Sequence, residues 1–139
     1  MADREHKFHA EVLTPEGEVF RGDVRQLSTK TTTGEIGILA NHAPILARLR
    51  PAELRLHVSE GDVKRYAQAE GWLQVFANRA TVLVGECVPP DRLDPGELRQ
   101  RAQDAEQRLK ETEEDSAAHQ QAQRDKDRAE AFLTVAGAE

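Results

Sequence analysis

Around Pro89 and Pro90 the spacing of apolar residues changes from two to between three and four, which limits the chain to two kinds of structure joined end to end. Before the prolines, Leu54, Leu56 and Val58 alternate with Arg55 and His57, the clearest period-two run in the sequence. Phe8, Ala10 and Val12 alternate likewise. After them, Thr14, Pro15, Glu16 and Gly17 read as a turn with Pro at its second position and Gly at its fourth. Val19 starts the return strand. Val24 and Leu27 fall in a third run closed by Thr33 and Gly34, and Ile36, Ile38 and Leu39 follow. Residues 40–44 read as an irregular loop, because Pro44 cannot donate to a ladder and turns Ala43 away from helical geometry. Runs at 63–69, 72–76 and 82–84 follow, the last read as buried on both faces, with breaks at Glu70 and Gly71 and at residues 77–79. Short strands at this spacing, eight to ten by count, predict an all-β sandwich of two sheets over residues 1–90.

The remaining residues, 91–139, predict a C-terminal antiparallel α-helical hairpin. Asp94 reads as an N-cap, Pro95 occupies the first helical position, where a missing N–H costs nothing, and Glu97 closes a capping box. Leu98, Ala102, Ala105 and Leu109 then form one narrow stripe. An acidic run at 111–115 ends it. A second helix is expected from Asp115 or Ser116 to about Val135, with Ala118, Ala122, Ala129, Phe132 and Leu133 on its apolar side and Asp125 interrupting them. These 49 residues hold only six large apolar side chains, Leu93, Leu98, Leu109, Phe132, Leu133 and Val135. Such a hairpin needs another surface to rest on and can leave it at little cost.

Composition removes several classes of function. The net charge is -6, and it is uneven: residues 1–90 hold eleven basic against twelve acidic side chains, residues 91–139 eight against thirteen. Affinity for phosphate backbones needs clustered Lys and Arg, so no nucleic-acid partner is expected. No stretch approaches the roughly 20 apolar residues of a membrane span. The opening MADREHKFHA has no apolar h-region, which leads to the expectation of a cytosolic-type compartment. Cys87 is the single cysteine and reads as a small buried filler after the last strand. His6 and His9 stand three apart, which on a strand puts them on opposite faces and out of reach of a common metal. His57 is expected to face solvent. No segment assembles a nucleophile, a base and an orienting group. The expectation is a chain with no catalytic residues, no metal and no cofactor.

The most unusual stretch is residues 34–44, GEIGILANHAP, an apolar strand followed by a loop that presents His42. Loops on a rigid sandwich are where binding residues concentrate. With the TPEG turn, the segment GEIGILANHAPILARLRP, the EGWLQV and NRATVLVG strands and a charged, alanine-containing hairpin, the chain resembles the epsilon subunit of F-type ATP synthases, called delta in mitochondria. Two departures stand out. Ala40 and Asn41 replace the family's usual Pro-Gly before HAP, and Glu70 replaces a common Gly before Gly71.

The resemblance implies a non-catalytic rotor subunit of the central stalk in a proton-translocating ATP synthase, peripheral to the cytoplasmic face of a bacterial plasma membrane. It implies a sandwich of about ten strands that binds the gamma subunit on one side and the ring of c subunits through loops, with Glu35 and His42 at the positions that meet that ring. It further implies a hairpin that brakes ATP hydrolysis at the alpha/beta catalytic hexamer, where Arg124, Lys126 and Arg128 would make the contact. Some bacterial members bind ATP through an I/L-D-x-x-R-A segment. Here only Leu93 and Asp94 match it, and Glu97 stands where the arginine belongs, so weak or no ATP binding is expected. The alternative is a free-standing β-sandwich binding module with a dimerising hairpin, against which the stripe of the first helix is short and rich in Ala.

Overall fold

The computed structural model describes residues 6–137, so residues 1–5 at the start of the MADREHKFHA stretch lie outside it. Ten strands are followed by two helices. The strands are β1 (Phe8–Thr14), β2 (Gly17–Val24), β3 (Gln26–Thr31), β4 (Gly34–Leu39), β5 (Ile45–Leu49), β6 (Ala52–Ser59), β7 (Asp62–Gln68), β8 (Gly71–Phe76), β9 (Arg79–Val84) and β10 (Cys87–Val88). A 3-10 turn at Pro90–Arg92 leads into α1 (Pro95–Glu111) and α2 (Ala117–Ala136).

The strands form two leaves that share one corner. In the first leaf the order is β10, β7, β6, β3, β4, and in the second β5, β8, β9, β1, β2. The corner is β3: Gln26, Leu27 and Ser28 pair with β6, while Thr31 alone pairs with Leu49 of β5. Every pairing is antiparallel except that of β1 with β9, which brings the first strand beside the ninth. Side chains of one parity point between the leaves. Val12, Val24, Leu27, Ile38, Leu56 and Leu73 are fully enclosed there, which explains why the alternation was readable.

Three details of the strands differ from the sequence reading. Val24 ends β2, and the chain bends at Arg25 before β3 starts. Cys87 begins a tenth strand that pairs with β7, a two-residue element too short to carry a periodic signal. Leu83 is not buried on both faces but points outward on β9, because parity directs it away from Val82 and Val84.

The hairpin forms a second, smaller core. Leu98, Phe132, Leu133 and Val135 pack on Ala67 and Ala69 of the first leaf, and Leu93 and Val88 close the edge. Asp94 Oδ1 accepts from the N–H groups of Gly96 and Glu97, and Ser116 Oγ accepts from the His119 N–H, so both helices start at side-chain caps. Gly137, in left-handed geometry at φ 75°, ends α2. Between the helices, Ala105, Ala122 and Ala129 are buried, whereas Ala118, expected on the apolar side, is exposed. Asp125 interrupts the stripe without harm because Arg108 of α1 meets it at 2.8 Å.

Candidate interaction surfaces

The outer face of the second leaf is apolar where solvent should favour polar groups. Leu46 of β5, Trp72 of β8 and Leu83 of β9 are 68%, 45% and 47% exposed. Register puts Trp72 between Arg48 and Leu83, so these side chains share one face. The Arg48 guanidinium carbon lies 5.5 Å from the centre of the Trp72 ring, a cation over an aromatic face. A patch with a Trp and an Arg at its centre has the composition of a protein-binding hot spot. The sequence carried this signal as apolar residues at outward parity.

A second surface follows β4. This strand pairs with β3 along its whole length, and its other edge is open among the described residues. Glu35, exposed, lies at its start opposite Lys30. His42 lies beyond its far end, where its backbone N–H returns to the Leu39 carbonyl at 3.2 Å. From Glu35 to Leu39 an extended strand covers roughly 13 Å. The two residues therefore do not form a pocket; they mark the ends of an open edge, with Leu39 60% exposed between them.

The loop carrying His42 is held in place. Asn41 has φ 62°, a left-handed conformation that Asn accepts more readily than most residues, which explains how it stands where a Gly is usual. Its N–H donates to Asn78 Oδ1 at 2.8 Å, and Asn78 Nδ2 donates to the Lys7 carbonyl at 3.1 Å. One side chain thus ties three segments at this end of the sandwich. His42 Nδ1 donates to the Ala43 carbonyl at 2.6 Å, which leaves Nε2 for a partner.

The hairpin cations named from the sequence are not gathered into one patch. Arg124 is exposed and bonded to Gln121 of its own helix. Lys126 meets Glu106 of α1 at 2.7 Å, and Arg128 is bound to Glu70 and Glu86 of the sandwich. Of the degenerate nucleotide motif, Leu93 packs in the hairpin core, while Asp94 caps α1 with its carboxylate. Neither the hot-spot face nor the Glu70–Arg128 contact was found by sequence reasoning; the second joins residues 58 apart in the chain.

No cluster of three His, Cys, Asp or Glu residues is placed to hold a metal among the described residues. His9 instead faces Glu11 at 3.1 Å and Asp23 at 3.5 Å across β1 and β2. Burial and the neighbouring Glu86 push the Cys87 thiol up to about 12, so it is protonated at neutral pH and a poor nucleophile. No described helix is long and apolar enough to cross a membrane.

The comparisons agree with this geometry. The family described as ATP synthase, Delta/Epsilon chain, beta-sandwich domain matches residues 7–90, the ten strands described above. The ATP synthase epsilon chain of Persephonella marina is 38% identical over 128 residues, 91% of this chain and 94% of that one. That of Sulfurihydrogenibium is 33% identical over 94% of this chain and 98% of its own. Among solved structures, a chain of the Euglena gracilis mitochondrial ATP synthase, in an OSCP/F1/c-ring assembly, superposes with a TM-score of 0.79 at 19% identity, over 92% of this chain and 80% of that chain. A chain of the Tetrahymena thermophila central stalk and c-ring gives 0.62 at 19% identity, over 92% and 95%. A sandwich matched along its full length, with relatives alike across the hairpin as well, places this protein in the delta/epsilon chain family of ATP synthases.

Proposed function

We propose that this chain is a non-catalytic central-stalk subunit that joins the gamma subunit to the c ring of an ATP synthase, peripheral to the cytoplasmic face of a bacterial plasma membrane. The observation that carries the reading is the presence of two separate unpaired surfaces on one rigid sandwich: the Leu46–Trp72–Leu83 face and the open edge of β4. A connector needs two such surfaces, whereas an enzyme needs one concave site. The apolar face suits gamma, because a stable joint buries aromatic and aliphatic anchors. The β4 edge, polar at Glu35 and His42, suits the polar loops of the ring, met as an extended contact.

In this reading the hairpin restrains ATP hydrolysis by reaching the alpha/beta hexamer with Arg124, Lys126 and Arg128. Arg128 is engaged by Glu70 and Glu86 of the sandwich and Lys126 by Glu106 of α1, so that contact requires the hairpin to leave the sandwich and its two helices to part. The alternative, a free-standing module with a dimerising hairpin, draws less support, since the large apolar residues of the hairpin rest on Ala67 and Ala69.

Co-expression with gamma tests the reading. The native chain should copurify as a one-to-one pair, and Trp72→Glu should abolish the pair while leaving strand content by circular dichroism intact. A native chain that emerges as a homodimer without gamma would remove the rotor reading.

A further inference from the structure

We propose that Glu70 and Glu86 of the sandwich, with Arg128 and Arg101 of the hairpin, form a charge latch that sets whether the hairpin is docked, so that docking and any engagement of Arg128 elsewhere exclude each other. Arg128 Nε and Nη2 donate to Glu70 Oε1 and Oε2 at 3.3 and 3.2 Å, a two-pronged grip, and Nη1 reaches Glu86 Oε1 at 3.5 Å. Arg101 of α1 adds a second cation 3.8 Å from the same Glu86 oxygen. All four side chains are partly screened from solvent, so the contacts are worth more than a pair on an open surface.

The backbone builds the acceptor side in advance. Ala69 N–H donates to the Glu86 carbonyl at 2.8 Å and Gly85 N–H to the Glu70 carbonyl at 3.3 Å, which fixes the two glutamates side by side. Two carboxylates held together repel each other unless a cation lies between them. Gly85 leaves the space for it, since a Cβ there would stand 3.3 Å from Arg128 Nη2. On the sandwich side the apolar footing of the hairpin is made of small side chains, Ala67 and Ala69, and the charged contacts add to it at the same edge.

The role of the latch in hydrolysis rests on the reading of the hairpin as a brake, and the test separates the two. Hydrogen exchange is measured on the full-length protein and on Glu70→Gln, Arg128→Gln and the double variant. Each single change should lower the protection of α2 amides about five- to tenfold, with β8 and β9 unchanged as the control for folding, and the double change should add little more. Unchanged α2 protection in the single variants, or single effects that multiply in the double, would overturn the latch. In the assembled complex Glu70→Gln should lower ATP hydrolysis by freeing the brake. Lower protection with unaltered hydrolysis supports the latch and overturns the brake.

Discussion

Two residues in the β8 hairpin illustrate how far single positions decide this fold. Gly71 pairs with Val84 where the strands come so close that a Cβ would lie 2.0 Å from the Leu83 carbonyl oxygen. Only a residue without a side chain fits. Gly71→Ala should therefore destabilise the protein by about 3 kcal/mol as the strands are forced apart, measured by urea denaturation. At the other end of β8, Ala77 and Asn78 turn the chain with φ 52° and 60°, a tight turn in which both central residues are left-handed. Ala is a poor choice there, since the left-handed region costs most residues roughly 1–2 kcal/mol. Ala77→Asn should raise stability by about 0.5–1 kcal/mol, seen as an increase of a few degrees in melting temperature. A sequence shows that a break lies near Gly71 and Ala77, but the reason belongs to the opposing strand and to backbone dihedrals, so neither effect was legible beforehand. His42 shows the same limit: its loop was legible from Pro44, while the support from Asn78, 36 positions away, was not.

At the scale of elements, the strands and helices were legible because each buries one face against a neighbour, and parity or the helical period records which. The corner at β3 was not, since a strand that pairs with β6 at one end and β5 at the other leaves no periodic trace. The hairpin also depends on something that periodicity omits, the ion pairs between its helices. Hydrogen bonds and charge from Lys126 hold the Glu106 carboxyl below its usual range. For Asp125, burial acts in the opposite direction, yet hydrogen bonds from Arg108 and Gln121 prevail and lower it. A carboxyl depressed in the folded state adds stability above its unfolded value near 4 and loses it as pH falls through the folded value. Lys126 is raised by the same pair, and its contribution is lost only in strong alkali. Acid should therefore loosen the pairing of α1 with α2 as the pH falls below about 4. Helical ellipticity should begin to fall in that range before the near-ultraviolet signal of Trp72 in the sandwich, and Asp125→Asn should reduce the pH dependence.

For the whole molecule, the two cores are separate, as the proposed connector with a detachable arm requires. Every member of the larger core lies between Phe8 and Val84, and the partly buried residues around it reach only to Cys87. No hairpin side chain completes it. The buried sandwich members of the smaller core are Ala67 and Ala69, with Val88 at its margin. Removing everything after Asp91 thus uncovers small side chains and leaves Glu70 and Glu86 without Arg128, a loss of about 1–3 kcal/mol at roughly 25 cal/mol per Å². Both the apolar Leu46–Trp72–Leu83 face and the β4 edge lie before that cut. The fragment ending at Asp91 should keep its strand signal, melt within a few degrees of the full chain, and still copurify with gamma. On the proposed reading of the hairpin as a brake, the same truncation should raise ATP hydrolysis in the assembled complex, because both sandwich surfaces remain while the hairpin is gone. A fragment that folds but no longer binds gamma would mean that the hairpin helps to make that joint, and the separation of connector from brake would have to be abandoned.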